Sequence, residues 1–203
     1  MENQIDNKGK AKVFENPILE FLARTTPTIA LLTYIPIILG CFIYNFMTGA
    51  VTSWGMITIF FFTGVFSWTL FEYLMHRHIF HWVNDSPAVQ KFHHYSHGLH
   101  HQFPRDEDHL FLPPIPGLMI AIIVFSLLWL FMEQYAYVFM PGFVTGYLIY
   151  SFIHYFMHTA KPPSFMKFLW KHHSLHHYKY ENKGYGVSST IWDHVFGTMP
   201  PKQ

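Results

Sequence analysis

Residues 154–177 read HYFMHTAKPPSFMKFLWKHHSLHH. His154 and His158 are four positions apart, while His173, His176 and His177 stand at i, i+3 and i+4. On helices each set points its imidazole rings from one face, because residues three and four apart share a face. Imidazoles that converge in this way are suited to binding a metal ion. The stretch therefore predicts a metal site.

The histidine pattern occurs twice. Residues 91–101 read KFHHYSHGLHH and residues 167–177 read KFLWKHHSLHH, so Lys, Phe, His, Leu, His and His recur in one register. A further pair of histidines lies upstream of each copy. Two such units offer more imidazoles than one first-row metal ion accepts, and a single metal is the weaker interpretation. We predict two metal ions held close together by His76, His81, His97, His100, His101, His154, His158, His173, His176 and His177.

The other histidines fall outside the repeated pattern. A lone histidine in an apolar helix is usually a hydrogen-bonded core residue, and a histidine run can be a solvated surface or an adventitious metal patch. We therefore expect no metal contact from His78, His93, His94, His109, His172 and His194.

The composition indicates a membrane protein. The chain has 203 residues, of which 51% are hydrophobic, 20% aromatic and only 12% charged, which is too apolar for an ordinary soluble domain. Its one cysteine, Cys41, excludes an intrachain disulfide framework and cysteine-based zinc or iron–sulfur sites. A net charge of +1 and the lack of a glycine-rich phosphate loop give no sign of nucleic-acid or nucleotide binding.

Uncharged stretches predict the fold class. Four of them are each close to the ~20 residues that a helix needs to cross a bilayer core. They are residues 28–47, 51–71, 110–132 and 134–153. Because the linkers within each successive pair are very short, we predict an all-α integral membrane protein with two transmembrane hairpins and a helical cap carrying the dimetal site. We expect Pro36 and Pro141 to kink their helices without ending them.

The basic residues predict the sidedness of the cap. All 13 Lys and Arg residues fall in the amino-terminal tail, in residues 71–109 or in the carboxyl-terminal segment, which four spans place on one side. By the positive-inside rule that side is the cytoplasm, so both termini and the cap are predicted to be cytoplasmic. Residues 1–16 mix charges without an apolar run and predict a mobile tail rather than a signal peptide. Residues 18–24 form either a short interfacial helix or a plain linker.

The histidine units predict redox chemistry. Neutral imidazoles add no negative charge, so two divalent ions held by them form a strongly cationic centre. No persuasive Ser-His-Asp order is present, and breaking an unactivated C–H bond needs an oxidant that side chains cannot supply. A redox metal and dioxygen are therefore expected. Iron is the predicted catalytic metal, and zinc stays open because it binds the same ligands tightly.

These motifs together resemble the integral-membrane fatty acid hydroxylase and sterol desaturase superfamily. The boxes are H-x4-H, H-x2-HH, H-x3-H and H-x2-HH, in that order along the chain. The segments HGLHHQFP at 97–104, LFLPP at 110–114 and GYGVSSTIWDHVFGT at 184–198 are most similar to the fatty acid 2-hydroxylases. The resemblance covers residues 71–198. The boxes are specific as an ensemble, although any one of them alone is a weak signal.

The resemblance implies a tail at residues 1–27 and a hydroxylase-like membrane domain at 28–203. It implies hydroxylation of carbon 2 of a fatty acyl chain, free or within a sphingolipid or other membrane lipid, and a site that can hold zinc after purification. Many relatives fuse a cytochrome b5 domain at the amino end, for which 27 residues are too few. We therefore expect a separate electron donor, such as a cytochrome b5 or ferredoxin system, and a bacterial inner membrane in preference to the endoplasmic reticulum.

The chain departs from the family pattern at one position. Relatives usually carry an arginine shortly before the L-x-x-P-P run, where this chain has His109 after three acidic residues. The departure leaves recognition of the lipid head group open.

Two carboxylates are candidate hydrogen-bond partners for the metal-bound histidines. Glu72 is four residues before His76 and shares its face on a helix, although a surface carboxylate is the competing interpretation. Asp193 lies inside the family-like segment at 184–198. An ideal helix turns His76 and His81 about 140° apart, so we predict that the second span deforms between residues 77 and 80.

Other functions compete with acyl hydroxylation. Within the same superfamily they are carotenoid ring hydroxylation and sterol methyl oxidation or desaturation, and the segment at 184–198 favours the acyl reaction. A membrane metal transporter would need ionisable residues at mid-membrane depth, and the four predicted spans have none.

Overall fold

The structure is a computed structural model that describes residues 5–201, and over that range it is helical without a β-strand. Its α-helices in this range are α1 (Pro17–Ala23), α2 (Pro27–Thr48), α3 (Trp54–Met75), α4 (Pro87–His93), α5 (Leu99–Gln102), α6 (Pro114–Met132), α7 (Ala136–Thr159), α8 (Lys167–Tyr178) and α9 (Ile191–Val195). Two π-helical turns, His76–Phe80 and His94–Gly98, extend α3 and precede α5.

Local sequence explains where α1 and α2 begin. Each begins with a proline at its first position, where the missing N–H is not needed. The side chain of Asn16 accepts hydrogen bonds from Ile18 N and Leu19 N, and Thr26 caps α2 in a similar way. α2 ends at Gly49, whose φ of 65° suits a residue without a side chain.

The chain forms two compact units. We call the first the histidine unit; it comprises the described residues of Met1–Arg24, Thr69–Leu110 and Tyr150–Gln203. The second, which we call the bundle unit, comprises Thr25–Trp68 and Phe111–Ile149. The long helices α3 and α7 each contribute residues to both units.

Aromatic pairs show how the helices of the bundle unit run. Tyr44, near the end of α2, stacks on Tyr137 at the start of α7 with ring centroids 4.2 Å apart. Phe60 of α3 stacks on Tyr135 at 4.6 Å. Phe125 of α6 lies 5.3 Å from Tyr137, whereas a continuous helix would separate them by about 18 Å. α6 and α7 therefore fold back on each other, as in a hairpin.

The reversal between α6 and α7 occurs at Glu133. This residue has a φ of 49°, and among the described residues it is the one non-glycine with a positive φ. α7 also approaches α3 closely at Gly142, where an added Cβ would lie 1.9 Å from the carbonyl oxygen of Phe61. Small residues allow such close helix contacts in membrane proteins.

Apolar length identifies membrane helices in the described part of the chain. Three stretches are long and apolar enough to cross a membrane: Pro27–Thr48, Trp54–Phe80 and Glu107–Thr159. The third has 53 residues and contains both α6 and α7. The predicted all-helical membrane fold is confirmed, whereas the count of four crossings remains a prediction. Pro36 and Pro141 lie inside α2 and α7 without ending them, as expected.

The prediction of a mobile tail is wrong for residues 5–16. Asp6 N donates to Gln102 O at 2.8 Å, Ala11 N donates to Asp106 Oδ2 at 2.8 Å, and Lys10 Nζ lies 2.7 Å from Asp108 Oδ2. Lys10 and backbone N–H groups of the tail thus bind residues 102–108, which orders this part of the chain. The rest of the predicted tail, residues 1–4, lies outside the described residues.

Candidate metal centre

The second span deforms where the sequence predicts it. Between His76 and His81 the chain makes a π-helical turn, in which His81 N donates to His76 O at 3.1 Å. The extra residue in this turn brings the two rings back to one face, with centroids 5.0 Å apart. His154 and His158 reach the same arrangement on the regular helix α7, because they are only four residues apart.

The remaining eight of the ten predicted ligands come from three places in the histidine unit. The π-turn at His94–Gly98 and α5 carry His97, His100 and His101. α7 carries His154 and His158, and α8 carries His173, His176 and His177. Each set projects from one face of its element, as the spacing predicts.

Among the described residues the ten histidines converge in two groups of five, and the ligand atoms within a group all lie within 4.8 Å of one another. The first group contains His76, His81, His97, His101 and His176. The second contains His100, His154, His158, His173 and His177. Each group takes four histidines from one copy of the repeat and one from the other. His176 and His100, at equivalent positions in the two copies, are therefore exchanged.

The nitrogen spacing fits a shared metal ion. Neighbouring Nε2 atoms within the groups are 2.8–3.1 Å apart. Two imidazole nitrogens bound at a right angle to one metal, each about 2.1 Å away, are about 3.0 Å apart. The two groups thus have the donor set and the spacing of two metal sites.

Backbone carbonyls orient two rings of the first group. His76 Nδ1 donates to Tyr185 O at 2.5 Å, and His176 Nδ1 donates to Lys183 O at 2.8 Å. A neutral imidazole with its proton on Nδ1 has a lone pair on Nε2. These Nε2 atoms point at other Nε2 atoms of the group, and a cation between them would satisfy the facing lone pairs.

The histidines are held in the neutral form that binds metals. Burial, and then repulsion from neighbouring histidines, lowers the pKa well below its ordinary value for His97, His100, His173, His176 and His177. The same causes lower the pKa of His81 to about 3. Neutral rings at physiological pH need no deprotonation before a metal binds.

Comparison with known proteins identifies the family. The family model for fatty acid hydroxylase matches residues 61–198. The chain is 34% identical over 196 residues to the dihydroceramide fatty acyl 2-hydroxylase FAH2 of Arabidopsis thaliana, covering 93% of this chain and 80% of the relative. The chain belongs to the fatty acid hydroxylase family.

Two further matches agree. The ceramide very long chain fatty acid hydroxylase SCS7 of Saccharomyces cerevisiae is 35% identical over 196 residues, which cover 94% of this chain and 50% of SCS7. A solved structure of full-length scs7p, in which only the hydroxylase domain is visible, superposes with a TM-score of 0.85 at 34% identity. That match covers 96% of this chain and 74% of the other. The resemblance found in the sequence is confirmed, and the curated relatives are hydroxylating enzymes, that is, oxidoreductases. They come from plants, yeasts and mammals, so they give no support to a bacterial inner membrane.

The two predicted carboxylates accept hydrogen bonds from the backbone of residues 185–188 and, among the described residues, not from the ten histidines. Glu72 Oε1 accepts from Val187 N at 2.6 Å and from Ser188 N at 2.9 Å. Asp193 accepts from Tyr185 N at 2.9 Å and from Gly186 N at 2.8 Å. Neither carboxylate bonds to one of the ten histidines among the described residues, so the prediction of direct partners is wrong. Both instead hold the loop whose carbonyls orient His76 and His176.

Sequence reasoning missed the carbonyl acceptors and one histidine. Backbone carbonyls have no residue signature, so Tyr185 and Lys183 could not be singled out as partners. His172 is buried and donates from Nε2 to Asp193 Oδ2 at 3.1 Å, which makes it part of the same support. Its position directly before His173 was the available signal. None of the six histidines outside the repeat belongs to either group.

A cavity of about 680 Å³ adjoins the first group of the hydroxylase. It is lined by Ile5, His81, Val83, Gln90, His93, His94, Gly98, His101, Gln102 and Glu181. Glu181 Oε1 lies 3.7 Å from His101 Nδ1, a buried atom with no hydrogen-bond partner among the described residues. No lysine or arginine lines this cavity in the described part of the chain, and Glu181 is its charged residue.

Proposed function

We propose that this chain hydroxylates carbon 2 of a fatty acyl chain in a membrane lipid. The observation that carries the proposal is the convergence of ten histidines into two groups with metal-ligand spacing. The family match and the apolar helices support a lipid substrate. Carbon 2 is adjacent to the acyl carbonyl, so an acyl chain that enters the site with its carbonyl end brings this carbon to the histidines.

Each histidine group is proposed to hold one metal ion. Iron is the catalytic metal in this proposal, and zinc can occupy the same imidazole donors in purified protein. Bound iron would supply the activation of dioxygen, which side chains cannot provide. One oxygen atom enters the C–H bond and the other leaves as water, a balance that requires two electrons and two protons. We assign the electrons to a separate redox protein, such as a cytochrome b5 or a ferredoxin.

The chain's own residues orient and protect the site. The carbonyls of Tyr185 and Lys183 fix the rings of His76 and His176. Burial keeps the rings of the two groups neutral. The pair of carboxylates, Glu72 and Asp193, holds the loop in register with these rings.

The cavity beside the first group favours a neutral head group. In the described part of the chain the lining offers no lysine or arginine to pair with a free fatty carboxylate, so only the bound metal ions would offset its desolvation. Glu181 would in addition repel it. An amide-linked acyl chain offers a neutral donor and acceptor to Gln90 and Gln102, both of which line the cavity. We therefore propose an amide-linked acyl lipid, such as a sphingolipid, as the substrate in preference to a free fatty acid.

The helix lengths support four membrane crossings. α6 has 19 residues and α7 has 24, which correspond to roughly 28 Å and 36 Å, so each suffices for a bilayer core. The reversal at Glu133 and the contact of Phe125 with Tyr137 support two crossings in the stretch of 53 residues. Together with α2 and α3 this makes four. The lysine and arginine distribution supports a cytoplasmic site for the histidines and both termini.

Lipid analysis after expression tests the proposed function. Cells without a 2-hydroxylase of their own, supplied with a competent reductase, should gain 2-hydroxy acyl chains in their amide-linked lipids. His97→Ala and His173→Ala, one from each group, should abolish the product. His78→Ala and His194→Ala are matched controls because both side chains are exposed and outside the groups. Oxygen appearing only on sterols or carotenoids, or full activity of His173→Ala, would overturn the proposal. Product confined to free fatty acids would overturn the choice of an amide-linked substrate.

A further inference from the structure

The segment that joins α7 to α8 carries an unusual set of exposed side chains. Residues 160–171 read AKPPSFMKFLWK, with three lysines and no acidic residue. Lys161, Lys167 and Lys171 are all exposed. The ion pairs between lysine or arginine and carboxylates in the described part of the chain engage Lys10, Lys12 and Arg24 instead. The segment is therefore a local concentration of uncompensated positive charge.

Two large aromatic side chains lie among these lysines. Phe165 is 77% exposed and Phe168 is 59% exposed. Their neighbours Leu169 and Trp170 are buried, and Trp170 Nε1 donates to Ala160 O at 3.1 Å. The segment thus has its own inward-facing residues, and the two phenylalanines form a separate outward face. Exposed apolar side chains rimmed by polar ones are typical of an interaction surface.

We propose that residues 160–171 dock on the bilayer surface and bind anionic phospholipid head groups there. Positive charge beside a membrane span attracts anionic lipids, and exposed aromatic rings insert at the boundary between head groups and acyl chains. The segment begins directly after α7, at the end of the apolar stretch Glu107–Thr159. It also leads into α8, which carries His173, His176 and His177. A lipid anchor at this point fixes the start of the helix that serves both histidine groups.

The first copy of the repeat provides an internal contrast. Its corresponding stretch lies between His81 and His97. Residues 82–96 expose Trp82, Val83 and Phe92 but contain one acidic residue, Asp85, and one basic residue, Lys91. It can contact a membrane through its apolar side chains, yet it carries no net charge. Selectivity for anionic head groups therefore belongs to residues 160–171.

The test measures which lipids stay with the protein. Wild-type protein, reconstituted in mixed phosphatidylcholine and phosphatidylglycerol bilayers and then extracted, should retain phosphatidylglycerol above its share in the mixture, as counted by native mass spectrometry. The triple variant Lys161→Gln, Lys167→Gln, Lys171→Gln should lose this enrichment, because each lysine near the surface contributes roughly fivefold in affinity. The triple arginine variant at the same positions should retain it.

Two further variants make the outcome decisive. Lys8→Gln, Lys10→Gln, Lys12→Gln removes the same number of charges and should keep the enrichment. A nitroxide label at Phe168→Cys should report contact with lipid by its accessibility to oxygen. The proposal is overturned if the glutamine variant at 161, 167 and 171 retains as much phosphatidylglycerol as wild type. It is also overturned if that variant and the glutamine variant at 8, 10 and 12 lose phosphatidylglycerol equally, or if the label is in water. Lipid binding does not depend on the reaction catalysed, so these outcomes leave the proposed hydroxylation to its own test.

Discussion

Asp193 shows how one side chain can support a proposed metal site that it does not touch. It is fully buried, and its carboxylate accepts hydrogen bonds from Tyr185 N, Gly186 N, Thr198 Oγ1 and His172 Nε2. These bonds hold its pKa below the ordinary value despite the burial, which alone would raise it. The carboxylate is therefore ionised at neutral pH and fixes the loop that orients His76.

Replacing this carboxylate by an amide should weaken metal binding. Asp193→Asn places an NH₂ group against backbone N–H donors, so the loop shifts and Tyr185 O no longer orients His76. Metal affinity should fall by roughly tenfold to a hundredfold, the usual effect of losing an outer partner of a ligand. Competition with a chelator measures it. Asp85→Asn, on an exposed loop, is the matched control, and equal chelator resistance of the two variants would contradict the role assigned to Asp193.

The lowered histidine pKa values predict how stability depends on pH. The pKa of His81 is about 3 in the folded chain, against about 6.5 for an unfolded histidine. Between these values the unfolded chain binds more protons than the folded one, so acidification favours unfolding, whereas above about 6.5 the contribution is constant. Thermal unfolding of metal-stripped protein should shift to lower temperature as pH falls from about 7 to about 5. A midpoint that stays level or rises would contradict the neutral, buried state of these rings.

The two copies of the repeat each place a pair of histidines on one helix face, but they use different types of helix. His154 and His158 are four apart on the regular helix α7, whereas His76 and His81 are five apart on a π-helical turn. Deleting His78, an exposed residue of that turn, should convert it to a regular helical turn and keep both rings on one face. The metal content should then stay near that of the wild type.

An insertion provides the opposite case. One alanine added after Phe156 separates the histidines of α7 by five residues on a regular helix, which turns them about 140° apart. That variant should lose metal from the second group. Loss of metal in the deletion variant, or full metal content in the insertion variant, would show that the π-turn is not what compensates for the spacing.

The elements were largely predictable from the sequence, and their exceptions have physical causes. The positions of α2, α3, α6 and α7 followed from long uncharged runs, and the deformation between His76 and His81 followed from spacing alone. The order of residues 5–16 did not, because it depends on pairing with Asp106 and Asp108, about a hundred residues away in the chain. The partners of His76 and His176 are backbone carbonyls, which any residue could supply.

The placement of the basic residues along the whole chain predicts on which side of the membrane each terminus lies. If four helices cross the membrane, tags at both termini should be in the cytoplasm, and a tag within residues 48–50 should be on the opposite side. Accessibility of the tags in intact and permeabilised cells measures this. Termini on opposite sides would mean an odd number of crossings.

The exchange of His100 and His176 is the feature of the whole molecule that sequence could not supply. The repeat predicts two five-histidine units, and the simplest expectation is one metal for each unit. The groups found in the structure each take one ligand from the other copy. That choice depends on how α5 and α8 approach each other, which no local pattern encodes. Consequently neither copy of the repeat completes a metal site alone.

The metal-to-protein ratio of protein purified without chelator tests whether each histidine group holds a metal ion. Two groups of five histidines predict a ratio that approaches two in the wild type. His100→Ala should selectively remove metal from the second group, and His176→Ala should remove it from the first. The metal-to-protein ratio of each variant should therefore fall toward one while the chain stays folded. A wild-type ratio that remains at one, or no loss of metal in either variant, would contradict the assignment of two metal sites.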